Sequence, residues 1–249
     1  MGGLALAAGL GCSSQPPLVS VPEPLPSAPP PAASPVAAPW ELPEDAISTQ
    51  RLFRVRFESE EGDGRFRLTL RLLDRERFQL RAIDPLGRSV WTLHSDRGES
   101  LFLDHRDRRA CRFGPRVDLT ELYLGSFPAR DLPALILGRV PAVPEGALLW
   151  TGGGAAGLRT LDFLDRQDRA WACRLMGERL EGWSLTSPDG RLLASLHREE
   201  RGFRLEDRRR RLEVRWREVG AEPLRRGLQE PEIPPSYRRE SCFAGAPEP

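Results

Sequence analysis

A two-residue hydrophobic period constrains this chain more than any other feature, running with interruptions from Phe53 to Val219. Phe53, Val55 and Phe57 alternate with Arg54 and Arg56, and Phe66, Leu68, Leu70 and Leu72 alternate with Arg65, Arg67, Thr69 and Arg71. Successive side chains of a strand point to opposite faces, so each run reads as an antiparallel strand with one apolar and one wet face. Gly62-Asp63-Gly64 and the charged segment Asp74 to Arg77 supply turns between runs. Phe78, Leu80 and Ala82 lead into Asp84-Pro85-Leu86-Gly87, after which alternation resumes through Trp91 and Leu93. Proline presets that turn and glycine supplies its backbone freedom. Leu86 is the anomaly, an apolar side chain at a turn tip, either tucked under a neighbouring element or held out for a lipid.

Further strands are expected over 90–94, 100–104, 110–113, 147–151, 158–164, 170–176, 180–186, 192–197, 203–207 and 212–219. A helical interruption is expected at 118–124 and 129–137, and a short helix over 43–51, where Pro43, Glu44 and Asp45 suit the positive end of a helix dipole. About eleven to thirteen strands around one helical insertion, with no βαβ rhythm, predict a strongly curved antiparallel sheet or open barrel covered by helices. The apolar faces supply its interior: Phe57, Phe66, Leu68, Leu70, Leu80, Trp91, Leu93, Trp171, Trp183 and Trp216 would line a cavity or fill a core.

Composition excludes several chemistries. All 37 basic residues are arginine, and there is no lysine, so no Schiff base or phosphate-loop lysine is available. The net charge of +1, with Arg and Asp/Glu interleaved, gives no basic excess for nucleic acid. The densest cluster, Arg208 to Arg211, reads as a solvated hairpin turn or as a contact for anionic headgroups. His94, His105 and His197 sit in separate segments without metal-ligand spacing. The glycines from Gly152 to Gly157 lack the Gly-Lys end of a phosphate loop and read as a hairpin turn. No Gly-x-Ser-x-Gly elbow occurs. A non-enzymatic protein with no metal and no cofactor is expected. Cys173 shares a strand face with Trp171 and Leu175 and reads as a buried thiol; Cys111 with Cys173 is the disulfide to test, since Cys242 lies in the tail.

The ends differ from the middle. Residues 1–12 are small and apolar up to Gly11-Cys12, like the end of a lipoprotein signal peptide whose cysteine is lipidated, although Gly9 and the lack of early basic residues depart from that pattern. Residues 13–43 are rich in proline, alanine and serine and form an extended spacer. The folded domain is expected over 44–220, and 221–249 reads as an irregular tail in which Pro231, Pro234 and Pro235 forbid a long helix.

The strand, Asp84-Pro85-Leu86-Gly87 turn and strand over 78–93 resemble a segment of the LolB family, lipoprotein receptors of the outer membrane. The block 127–141, with Leu-Gly-x-x-Pro at 137–141, is similar to that family's lid helix, and 203–219 to its closing hairpin. The resemblance implies an unclosed half-barrel that binds acyl chains, with Cys12 as lipid anchor and Leu86, held by Pro85 and Gly87, as the exposed turn residue. Leu132, Leu135, Ile136 and Leu137 would form the lid. It implies acylated lipoproteins or other lipids as ligands, a LolA-like periplasmic carrier as partner, and, with Ser13 after the cysteine, an outer-membrane location facing the periplasm. A second expectation is a structural or envelope-assembly lipoprotein that binds a protein partner or another hydrophobic molecule through the same fold.

Overall fold

The computed structural model describes residues 42–114, 129–140, 149–153, 157–165, 168–177, 179–225 and 227–239, all within the compact unit Ala37–Pro249. Cys12 and residues 118–124 lie outside the described residues.

The long strand β1 (Thr49–Ser59) organises the sheet because it is paired on both sides, with β2 (Gly62–Leu72) and with β13 (Leu212–Pro223). From β2 the chain meanders outward through β3 (Phe78–Ile83), β4 (Ser89–Asp96), β5 (Glu99–Asp104) and β6 (Arg109–Phe113). It restarts at the opposite edge as β7 (Leu149–Gly153). It then returns through β8 (Leu158–Leu164), β9 (Ala170–Met176), β10 (Arg179–Thr186), β11 (Leu192–Glu199) and β12 (Gly202–Asp207) to β13. A two-residue β14 (Arg238–Arg239) joins β6 in parallel, the one parallel pairing among the described strands. The product is a single curved sheet of fourteen strands with β7 and β14 at its two edges, an unclosed barrel. Thirteen of the strands are those the hydrophobic period predicts; the tail adds the fourteenth.

The expected helix over 43–51 is a correction. One 3-10 turn, Glu44–Ala46, is all that forms, and β1 has begun by Thr49. Ser48 takes a positive φ of 56°, and the Thr49 hydroxyl donates to the Ala46 carbonyl at 2.6 Å. An eleven-residue strand hydrogen-bonded on both sides outweighs the modest local preference of Pro-Glu-Asp for a helix start.

The concave face carries a continuous apolar core that runs from Phe53 and Val55 through Leu80 and Leu93 to Trp183 and Val214. The outer face of β5 and β6 is covered differently. Leu101, Leu103 and Ala110 point outward there, and Ile233 and Tyr237 of the tail pack on them. Tyr237 Oη lies 2.7 Å from His105 Nδ1, whose Nε2 lies 2.9 Å from Thr92 Oγ1. Glu230 pairs with Arg112. The tail beyond β13 is irregular, as its prolines require, yet it is docked.

Cys173 is the buried thiol that its strand face predicts, and the alternative to be tested, a Cys111–Cys173 disulfide, does not form. Cys173 is free, whereas Cys111 is disulfide-bonded. Burial, with Asp162 nearby, pushes the Cys173 thiol up to about 12. Alkylation at pH 8 should therefore spare Cys173 in the folded protein and modify it after unfolding, as read by peptide mass spectrometry.

Desolvation is the main force holding His94 and His105 below the usual histidine value of 6.5, Arg81 adding repulsion at His105. The unfolded chain then binds protons first as pH falls, so the stability these residues lend is complete above 6.5 and lost below it. Melting temperature should decline from pH 7.5 to 5.5, and a His94→Gln/His105→Gln double variant should flatten that decline.

Candidate functional site

The lid begins with a 3-10 turn, Ala129–Asp131, that runs directly into α1 (Leu132–Ile136). It is shorter than the helix expected over 129–137, because the chain reverses at Gly138, with φ of 67°. The Gly138 amide donates to Leu135 and the Arg139 amide to Ala134, the paired bonds of a Schellman ending. A side chain at Gly138 is impossible without rearrangement, since its Cβ would lie 1.8 Å from the Phe203 ring. The sequence therefore uses glycine twice over, to end the helix and to seat its exit against β12.

Every residue of α1 is buried. Leu132, Leu135 and Ile136 belong to the same cluster as the concave face of the sheet, and Leu137 packs at its margin. The Trp216 indole donates to the Ile136 carbonyl at 2.8 Å, and Arg75 reaches the buried Asp131 at 3.4 Å. Of the expected lining residues, Phe66, Leu68, Leu70, Leu80, Trp91, Leu93, Trp171, Trp183 and Trp216 are all buried, while Phe57 is half-buried beside them. Their rings form two strings. Phe57, Phe66, Trp91 and Phe102 follow one another at 6.2–6.3 Å on one half of the sheet. Phe163 stacks on Trp171 at 5.8 Å and Trp171 meets Trp183 at 4.9 Å on the other. In this position the lid segment and the concave face of the sheet bury their apolar side chains in one cluster.

Leu86 is placed in the opposite way. It is 78% exposed, the most exposed of the large apolar residues described. Its turn is built by its neighbours. Asp84 Oδ1 accepts the amides of Leu86 and Arg88, each at 2.9 Å. Asp84 Oδ2 takes the Arg88 guanidinium at 2.8 Å. The Arg88 amide, with its side chain, holds the Asp84 carboxyl below the usual range. Gly87 supplies φ of 84°. The Leu86 side chain contributes nothing to these bonds. Asp165 and Arg169 make the same clamp between β8 and β9. Antiparallel register puts the β1–β2, β3–β4, β5–β6, β8–β9, β10–β11 and β12–β13 connections at one end of the strands. Leu86 and the Arg208–Arg211 turn therefore share a rim.

Near the exit of the lid an opening of about 620 Å³ is lined by Phe53, Ile136, Leu137, Phe203 and Trp216 below, and by Arg51, Arg139, Arg198, Arg201 and Arg217 around them. The sequence does not disclose this grouping, because the five arginines come from four separate segments. Register also undoes the expected interleaving of charges on the convex face. Arg54 lies between Arg67 and Arg217, and Arg56 between Arg65 and Arg215. Directly opposed arginines form two cationic rows that strand-by-strand reading misses. Among the described residues no cluster of three or more metal-binding side chains occurs, and no helix is long and apolar enough to cross a membrane.

No family model and no curated protein matches the sequence. Solved structures do share the fold. A LolA superfamily protein from Nitrosomonas europaea aligns over 76% of this chain and 90% of its own, with a TM-score of 0.52 and 12% identity. A protein described as an outer membrane lipoprotein-sorting domain from Vibrio parahaemolyticus aligns over 75% and 89%, with a TM-score of 0.53 and 11% identity. A DUF1329 family protein from Desulfovibrio piger gives 0.51 at 9% identity over 73% and 87%. At these identities the likeness establishes a shared fold and nothing beyond it.

The lid exit and the turn should respond to substitution in opposite ways. Gly138→Ala should cost about 2–4 kcal/mol through the collision with Phe203 and the positive φ. Leu86→Glu should change stability by no more than about 0.5 kcal/mol. Paired denaturant titrations measure both.

Proposed function

We propose that this protein is a lipid-anchored receptor of the LolB kind, which takes acyl chains of lipoproteins beneath its lid and helps insert them into the outer membrane. Cys12 is its anchor, residues 13–43 the spacer, 44–220 the binding domain and 221–249 a tail strapped to the outer face. The observation that carries the reading is Leu86. A large apolar side chain stands in solvent on a turn whose hydrogen bonds make no use of that side chain. A membrane or a departing acyl chain gives that side chain a partner. Leu132, Leu135, Ile136 and Leu137 cover the apolar set, so an acyl chain enters by displacing a lid of a single helical turn and a half. Burial at about 0.8 kcal/mol per CH₂ compensates that displacement over a long chain. The transfer involves no covalent step and no cofactor, and a LolA-like carrier is the donor.

The deep burial of the apolar set favours a second reading, an envelope-assembly lipoprotein that binds a protein partner and leaves its core closed. Two measurements on the full chain separate the readings. Native mass spectrometry should find acylated peptide or lipid bound to the purified protein. Leu86→Glu should retain that ligand, yet lower delivery of an acylated lipoprotein to liposomes by about tenfold. Protein that carries no lipid, or a stable Leu86→Glu variant that delivers cargo normally, would refute the receptor reading.

A further inference from the structure

We infer that the opening beside the lid exit is a binding site for the anionic headgroup of one lipid-like molecule, a phosphate ester whose alkyl chain lies on Phe203, Trp216 and Leu137. The inference rests on the reading of this domain as a lipid binder and adds a chemical preference to it.

Charge pairing carries the assignment. Two carboxylates line the opening, Asp45 and Glu218, and both are taken by Arg51, at 2.8 and 3.0 Å. Arg139, Arg198, Arg201 and Arg217 line the same opening. None of these four has a carboxylate partner among the described residues, in a protein where most half-buried arginines do. Arg198 is the least free to move. Its Nε donates to the Leu180 carbonyl at 2.9 Å, and its guanidinium carbon sits 4.7 Å from the centre of the Phe203 ring. Those contacts leave its terminal nitrogens for another acceptor. Desolvation, and then repulsion from Arg179 and Arg139, hold Arg198 below the ordinary arginine value, Glu181 opposing them. An anion placed between Arg139 and Arg198 relieves that repulsion.

The floor defines the rest of the ligand. Phe203 and Trp216 lie 5.8 Å apart, centre to centre, and the lid exit at Leu137 and Gly138 abuts Phe203. An apolar floor ringed by unpaired guanidinium groups suits an amphiphile with one anionic end, and planar guanidinium forks suit phosphate oxygens. The position matters too. A molecule held there touches the residues at which α1 ends, where opening of the lid begins.

Calorimetry on the full-length protein, with ligands kept below their micelle concentrations, tests the site. Dodecyl phosphate should bind about tenfold or more tightly than dodecyl maltoside, with the excess falling as salt rises. Inorganic phosphate should bind far more weakly than dodecyl phosphate. Arg139→Gln/Arg198→Gln should abolish the preference while still binding the maltoside, and Arg88→Gln on the distant rim should keep it. Should the double variant not fold, the exposed Arg201→Gln and Arg217→Gln variants should each reduce the preference. Equal affinity for the two surfactants would overturn the headgroup site and leave the acyl-chain reading standing. Inorganic phosphate binding as well as dodecyl phosphate would make it a free-phosphate site and overturn the lipid. Absence of binding by either surfactant would remove both the site and the lipid-binding reading.

Discussion

Trp216 joins the parts of this fold that the chain separates most widely. It stands opposite Val55 of β1 on one side and Phe203 of β12 on the other. Its indole nitrogen donates to the carbonyl of Ile136, the last residue of the lid helix. The two meanders of the sheet meet at the β1–β13 pairing, and the lid is fastened at that seam. A single curved sheet cannot cover its own concave face, so a cover must come from the chain between the two meanders or from a guest. The hydrogen bond from Trp216, the Schellman ending at Gly138 and the contact of Gly138 with Phe203 are the means by which the chain provides one.

The two ends of the sheet are built differently. At the rim that carries Leu86, turns are closed by acidic side chains that accept backbone amides and are themselves gripped by a following arginine, as at Asp84–Arg88 and Asp165–Arg169. Such turns are self-sufficient, which leaves the residue at their tip free of structural duty. Rigidity here comes from charge-assisted hydrogen bonds, and burial of the tip plays no part.

Arginine is the only strong cation in this chain, and where it pairs decides what the surface offers. Where a carboxylate is adjacent, the guanidinium is part of a turn clamp or a cross-strand bridge. Where register brings arginine opposite arginine, as in Arg67, Arg54 and Arg217, or where the lid exit meets β11 and β12, the charge has no carboxylate partner among the described residues. A nearly neutral sequence thus folds into a surface with local cationic areas.

The sequence by itself determined the strands, since alternation with a period of two survives any tertiary context that buries one face. It also determined the Leu86 turn, because Asp84, Pro85 and Gly87 specify it locally. It could not determine whether Leu86 points inward or outward, nor whether the apolar face lines a cavity or fills a core, since both outcomes use the same alternation. Tertiary structure decided the orientation of Leu86, along with other points that depend on contacts between distant residues. Pairing of β1 on both sides displaced the helix that Pro43, Glu44 and Asp45 favour. The docking of Ile233 and Tyr237 on Leu101 and Leu103 gave the proline-bearing tail its place. Cys173 was left unpaired in the core while Cys111 bonded elsewhere. The arginines around the lid exit are brought together by strand register and one glycine-terminated helix, over separations that no local pattern spans.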